Sequence, residues 1–420
     1  MRVLVIGGGA REHAVCWSLR RSPEVQEVLC APGNPGIALV ATCLPLEVTA
    51  VAELVREAKA RSVDLTVVGP EAALAKGVVD AFRAEGLAIV GPTQAAALLE
   101  SSKSFAKEVM VQAKVPTARY EVFSSQSAVE EYCRSRGAPL VLKADGLASG
   151  KGVFVIQDEQ EFAPAIEALF STLKADKVVV EDFLSGVEVS CIFASNGVDV
   201  IALAPAHDYK RLGDHDTGPN TGGMGSICPT PRISQADLKW IEEVCAKPIV
   251  DTMRERGTPF TGFLYAGLMI DQTRPREQGI KVLEYNTRLG DPECQSIMAR
   301  LTSNPVELFT WMAGVSSDKP TLTWTPKIAT CVVIASDGYP EKPAKGDRIS
   351  GLEHVSLVPQ TVVFHAGTAH DAGGALIATG GRTLSVVALG DTIGESRGSA
   401  YKAVDIIQLR GRRVRRDIGS

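Results

Sequence analysis

Three short apolar runs near the N-terminus each stop at glycine: residues 2–6 at Gly7-Gly8-Gly9, 65–68 at Gly69-Pro70, and 87–90 at Gly91-Pro92. Helical patterns follow over 11–20 and 74–84, and 28–31 reads as a further strand. Apolar strands alternating with helices of about ten residues specify a doubly wound parallel sheet. In such a sheet ligand loops lie beyond the carboxyl ends of the strands, where these glycine turns fall. The reading is an α/β chain whose first hundred residues carry part of a ligand site.

At about 150 residues per domain, 420 residues leave room for roughly three domains. A chain 45% hydrophobic and 22% charged has ordinary globular composition, which excludes a largely disordered protein. Its net charge of −5 argues against nucleic acid or an anionic membrane as partner. The basic run Arg410-Gly-Arg-Arg-Val-Arg-Arg416 then reads as a solvated strand end. No apolar run approaches the ~18 residues of a membrane span. The first strand starts too directly for a signal peptide. Nine cysteines without a Cys-x-x-Cys pair are expected to be reduced, mostly buried thiols of a cytoplasmic protein.

Beyond residue 101 strands are expected over 140–143, 153–156, 178–181, 265–271 and 280–286, and helices over 103–114, 162–173 and 235–256. A polar, glycine-rich passage covers 208–225. Residues 316–326, rich in Ser, Thr, Pro and Asp, read as a linker. After it come strands over 328–335 and 383–389 and a helix over 394–407.

The N-terminal glycines do not make a dinucleotide site. The G-x-G-x-x-G pattern that starts at Gly7 requires glycine where Glu12 stands, and no acid follows the second strand, which runs into Cys30-Ala-Pro-Gly33. What survives is an anion site at a helix start near Arg11, or a tight turn that needs glycine for packing.

Leu140-Val-Leu-Lys143-Ala-Asp-Gly146-Leu-Ala-Ser-Gly150-Lys151-Gly152-Val153 is more specific. It is not a Walker A loop, because three residues separate Gly146 from Gly150 and glycine follows Lys151. Two strands joined by a glycine loop form a hairpin that can fold over a ligand. Lys143 supplies a fixed ammonium, while Lys151 and the loop amides supply mobile donors, as a triphosphate requires. A solvated hairpin with two exposed lysines is the plain alternative. Further on, Val178-Val-Val-Glu181-Asp-Phe-Leu184 can offer backbone groups to an adenine edge, and Glu188 can accept from ribose hydroxyls.

In Lys281-Val-Leu-Glu284-Tyr-Asn286-Thr-Arg288 a period of two puts Glu284, Asn286 and Arg288 on one face, with Leu283 and Tyr285 on the other. Neighbours on one face lie about 7 Å apart, so the acid and amide oxygens can converge on one Mg²⁺. Arg288 then suits a phosphoryl group. Asp214-His-Asp-Thr-Gly-Pro-Asn220-Thr-Gly-Gly-Met-Gly225 is too polar for a core and too rich in glycine for a helix, and reads as a loop for a polar ligand.

Taken together, these segments resemble the phosphoribosylamine–glycine ligases (glycinamide ribonucleotide synthetases), ATP-grasp enzymes of purine biosynthesis. Matching stretches run nearly the whole length and include Arg11-Glu-His-Ala14, Ala31-Pro-Gly-Asn34, Val68-Gly-Pro-Glu71, Phe260–Gly267, Gly290-Asp-Pro-Glu293 and Val363–Thr368, with Asp216–Gly225 the most specific. The resemblance implies a Rossmann-like (pre-ATP-grasp) domain over 1–101, an ATP-grasp domain over 102–315 with a mobile lid at about 116–182, and a small α/β domain over 327–420. It implies that ATP phosphorylates glycine to glycyl phosphate, which the amine of 5-phosphoribosylamine attacks to give glycinamide ribonucleotide, ADP and phosphate.

By the same resemblance Lys103, Lys143, Gly146 and Lys151 meet the ATP phosphates, Glu181 and Leu184 the adenine, and Glu188 the ribose. Glu284 and Asn286 match ligands of Mg²⁺ or Mn²⁺, with Arg288 beside the reacting phosphate. Asp214, Asn220 and Asp291 are candidates for glycine and phosphoribosylamine, and the N-terminal glycine turn for the ribose 5-phosphate. A monomer or small homo-oligomer is expected. Three departures stand out: Gly8 and Ala10 within the first glycine turn, Asp337 before Gly-Tyr-Pro340, and no second metal carboxylate near Ala266-Gly267. The alternatives are another ATP-grasp carboxylate–amine ligase or a nucleotide-binding module without catalysis.

Overall fold

The computed structural model describes residues 1–146 and 152–420. The first hundred residues form a five-stranded parallel sheet in the order Thr42–Cys43, Glu27–Pro32, Arg2–Gly7, Leu65–Val68, Ile89–Val90. Arg2–Gly7 has a parallel neighbour on each side and layers on both faces. That is why it reads as an unbroken apolar run rather than an alternation. The helix expected over 74–84 is two helices, Glu71–Ala75 and Val78–Ala84. Gly77, at φ +76°, takes the left-handed turn that ends the first.

The middle of the chain builds two antiparallel sheets. One, of Val200–Ala202, Val187–Asn196, Thr261–Ile270 and Ile280–Asn286, lies beside the N-terminal domain. The other, of Tyr120–Phe123, Val178–Asp182, Leu140–Ala144 and Val153–Ile156, has a core of its own around Leu142, Ile166 and Val180. Leu140–Ala144 and Val153–Ile156 pair antiparallel, as a hairpin requires.

The C-terminal sheet crosses the expected boundary at 327. Its order is His207–Asp208, Gly225–Cys228, Ile328–Ala335, Arg382–Gly390, Thr361–His365, so two strands come from the middle of the chain. The passage 208–225 is therefore not a loop throughout. Between those two strands it folds as a hairpin of Arg211–Gly213 and Thr217–Asn220. Residues 316–326 carry no helix or strand but are tied back: Thr325 N–H donates to Arg300 O at 2.9 Å, and Arg300 lies over the Trp324 ring.

The helix Glu293–Arg300 sits where the three parts meet, with every residue buried. Its polar side chains reach partners from other segments: Ser296 Oγ lies 2.8 Å from Ser226 Oγ, Gln295 Nε2 donates to Asp291 Oδ1 at 2.7 Å, and Arg300 Nε donates to Lys327 O at 2.7 Å. One apolar cluster runs from Val5 through Ile192, Ile297 and Trp311 to Phe364 and joins all three. All nine cysteines are free, and eight are buried. No helix among the described residues is long and apolar enough to cross a membrane.

Candidate active site

The turns at Arg11 and Pro70-Glu71, the strand Leu140–Ala144 and the strand Ile280–Asn286 surround a cavity of about 620 Å³. That is the size of a small-molecule site. Lys103, Lys143, Gly146, Glu181, Leu184 and Glu188 line it together with Asn220, Glu284, Asn286, Arg288 and Asp291. Lys151 lies outside the described residues.

Lys143, one residue before the end of its strand, is buried, its Nζ 2.8 Å from Glu181 Oε1. Glu181 Oε2 accepts from Lys107 Nζ at 2.9 Å, and Lys107 also donates to Thr117 Oγ1 at 2.7 Å. Burial pushes the Lys107 ammonium down to about 8, against the pull of Glu181. Lys107 went unassigned in the sequence, although it lies one helical turn beyond Lys103 on the same face. Two lysines thus hold the Glu181 carboxylate. Lys103 Nζ donates to Gly146 O at 2.9 Å, and burial lowers its ammonium.

Across the cavity, burial acts to raise the Glu284 carboxyl, but Lys210, Lys143 and Lys103 hold it below the usual range. Strict alternation fails just before it. Gly267 pairs with Glu284 but Leu268 with Val282, so Leu283 bulges out of register and lines the cavity too. A carboxylate and an amide on one wall fit a hard cation that completes its shell with phosphate oxygens and water. The facing backbone at Ala266 and Gly267 brings no second carboxylate. Among the described residues no cluster of three His, Cys, Asp or Glu side chains could hold an ion.

Lys210 pairs with Glu188 and stands 3.9 Å from Glu284 Oε1. Burial acts to lower its ammonium, but Glu188, Tyr265 and Glu284 raise it well above the usual lysine range. It is the centre of charge on this wall, and sequence reasoning passed over it inside a polar stretch. Arg288 lies past the end of its strand, between Glu100 (3.1 Å) and Glu71 (3.3 Å). Glu100 also accepts from Thr287 N–H at 2.8 Å, which fixes the bend.

Asp291 pairs with Arg382 at 3.0 Å and accepts from Gln295. Burial acts to raise its carboxyl, and Arg382 and Arg11 bring it below the usual range. Asp291 and Arg382 also line a second cavity of about 430 Å³, walled by Gly8, Gly9, Gly33 and Thr368. Glu12, where the dinucleotide pattern wanted glycine, caps its own helix: Oε2 accepts from Gly9 N–H at 2.7 Å. A Cβ at Gly69 would lie 2.0 Å from Glu12 Oε1, so that glycine makes room for this carboxylate. Asn34 Nδ2 donates to Gly8 O at 2.9 Å and to His365 O at 2.8 Å, drawing three distant stretches together.

Two expectations need correction. Asp214 does not line either cavity; its Oδ1 accepts from Arg416 N–H at 2.7 Å. The basic run that includes Arg416 is solvated at Arg410, Arg413 and Arg416, but not at Arg415. Arg415 is 1% exposed, 2.8 Å from Asp216 and 2.6 Å from Asp417, with its guanidinium over the Tyr209 ring. It clamps the hairpin that carries Asn220.

Comparison with known proteins agrees over the whole length. Residues 1–100, 101–294 and 329–420 match the N domain, the ATP-grasp (A) domain and the C domain of phosphoribosylglycinamide synthetase. A phosphoribosylamine–glycine ligase of Neisseria meningitidis is 44% identical over 100% of this chain and 98% of its own. The crystal structure of a phosphoribosylamine–glycine ligase from Thermotoga maritima superposes with a TM-score of 0.85 at 32% identity, covering 100% of both chains. The biotin carboxylase domain of a Hydrogenobacter thermophilus 2-oxoglutarate carboxylase, in complex with MgADP, reaches 0.74 at 15% identity over 98% of this chain and 91% of its own, a likeness of fold. From its first strand to its last helix, the chain belongs to the phosphoribosylglycinamide synthetase family.

Proposed function

We propose that this cavity joins glycine to 5-phosphoribosylamine at the expense of ATP, giving glycinamide ribonucleotide, ADP and phosphate for purine biosynthesis in the cytoplasm. One observation carries the reading: Lys143, Lys103, Glu284, Asn286 and Arg288, taken from three separate stretches of sequence, line one cavity. A carboxylate is a poor acyl donor, so its oxygen first attacks the γ-phosphorus of ATP and the β–γ bridging P–O bond breaks. The amine of phosphoribosylamine then attacks the carbonyl carbon of glycyl phosphate, loses a proton, and phosphate leaves. Neither step needs a covalent protein nucleophile; positioning and charge neutralisation suffice.

Lys103 and Lys143 would hold phosphate oxygens, and the main chain of Glu181–Leu184 the adenine. Glu284 and Asn286 would hold Mg²⁺ or Mn²⁺, which when bound neutralises charge between the β- and γ-phosphates. Arg288, already oriented by Glu71 and Glu100, would face the transferred group. The second cavity, joined to the first at Asp291 and Arg382, supports a seat for the ribose 5-phosphate, with the amine reaching toward the acyl group. ADP release by the purified chain tests this reading. Turnover is expected with glycine plus phosphoribosylamine; turnover with other carboxylates and none with this pair rejects it.

A further inference from the structure

Lys103 and Lys143 line one cavity but belong to different layers. Lys103 opens the helix Lys103–Gln112, whose Ala106, Val109 and Met110 share an apolar cluster with Leu264 and Val282. Lys143 stands on the sheet that has its own core around Leu142, Ile166 and Val180. With each lysine on a separate core, apolar packing alone does not fix the distance between them. Polar contacts must do so.

Asp145 makes the densest of these contacts. It follows the strand Leu140–Ala144, two residues beyond Lys143 and so on the same face. Its N–H donates to Lys177 O at 2.9 Å, which ties it to its own sheet. Its carboxylate crosses to the helix. Oδ1 accepts from Ser104 N–H at 3.2 Å, and Oδ2 from Ser104 Oγ at 2.5 Å and Ser102 Oγ at 3.3 Å. Ser102 caps the helix in the ordinary way, accepting from Phe105 N–H at 3.2 Å. The Ser104 amide has no partner within its own first turn, and an acid 41 residues along the chain supplies one. The positive end of the helix dipole favours that acid. Beside it Gly146 O accepts from Lys103 Nζ, and one turn on Lys107 meets Glu181 of the same sheet.

We propose that Asp145 is a positioning residue for ATP, clasping the sheet of Lys143 to the helix of Lys103 so that the two ammonium groups keep the spacing a polyphosphate needs. Lys103, Lys107 and Lys143 line the cavity and are open to exchange of partners when a ligand enters; Asp145 does not line it, so its tie persists. A phosphate oxygen is a stronger acceptor than the Gly146 carbonyl and takes Lys103 from it, while the clasp keeps Lys143 opposite. Without the carboxylate the two layers part, and a triphosphate meets one lysine at a time. The end of the cavity beside Glu181 keeps its own tie through Lys107.

The inference rests on the ligase reading for its ligand, and the experiment separates the two. The full chain is titrated calorimetrically with MgATP and with adenosine. Asp145→Ala is expected to weaken ATP about 10-fold, the equivalent of one charged hydrogen bond, and to leave adenosine unchanged. Ser104→Ala should weaken ATP less, because its N–H remains, and should add nothing to Asp145→Ala, because both act through one clasp. Unchanged ATP affinity in Asp145→Ala overturns the proposal. Equal losses for ATP and adenosine overturn it too, since they mark a structural role, as does an additive loss in the double variant. Hydrogen exchange of the unsubstituted chain gives a check that needs no variant. Without nucleotide the Ser104 amide should be protected, and exchange at the rate of a free peptide overturns the clasp. If the unsubstituted chain binds no ATP the ligase reading fails, and protection of that amide still decides whether the clasp exists.

Discussion

Lys143 and Glu181 face each other on adjacent strands, Nζ 2.8 Å from Oε1, and the other oxygen of the acid is held by Lys107. The lysine aimed at the cavity is thus anchored by an acid that does not depend on it. Lys143→Met is expected to raise the ATP KM and slow turnover while the fold persists. Glu181→Gln leaves two buried ammonium groups without their acid and should cost on the order of 3 kcal/mol of stability. ADP release against ATP concentration and urea unfolding of both variants check this; an equal loss of stability in the two contradicts it.

Glu284→Ala removes the one carboxylate of the proposed metal site. Activity should fall by at least about 100-fold, and the Mg²⁺ requirement should rise. Chelation with EDTA should abolish ADP release in the unsubstituted chain, and excess Mg²⁺ should restore it. A variant that binds ATP and retains every other property would favour a non-catalytic module.

Gly223 adopts φ +106° and abuts Pro292 and Asp208. Alanine there adds both a strained backbone and a collision, so Gly223→Ala should lose more than about 1 kcal/mol of stability together with most activity. Thermal unfolding beside a glycine saturation curve measures both effects.

The junction between the N- and C-terminal segments should respond to acid. His365 N–H donates to His13 Nδ1 at 2.9 Å, and burial lowers the imidazole of His13 to about 3 and of His365 to about 4. Unfolded, both titrate near 6.5. Below that pH the unfolded chain binds protons that the folded chain refuses. The stability is therefore complete above about 6.5 and declines toward pH 4. Urea midpoints at pH 7.5 and 5 should show the decline, and His13→Gln, which keeps an acceptor, should make it smaller.

What could be read in advance was what repeats or clusters locally. The strands Leu65–Val68, Val153–Ile156, Ile280–Asn286 and Ile328–Ala335 coincide with their apolar runs, because each is made by β-rich residues that need no distant partner to be recognised. The helix Glu293–Arg300 escaped notice because Gln295, Ser296 and Arg300 interrupt any apolar stripe. A polar residue can be core only when its partner arrives from elsewhere, as Ser226 does for Ser296. Lys210 was hidden for the same reason: its meaning comes from Glu188 and Glu284, which lie far along the chain. Arg415 looked like one of several surface cations until Asp216 and Tyr209 closed over it.

The burial of Arg415 also bears on how the molecule is made. During synthesis the hairpin that carries Asn220 leaves the ribosome long before the arginine that pins it. The nascent polypeptide therefore carries this hairpin unpinned until Arg415 has been added.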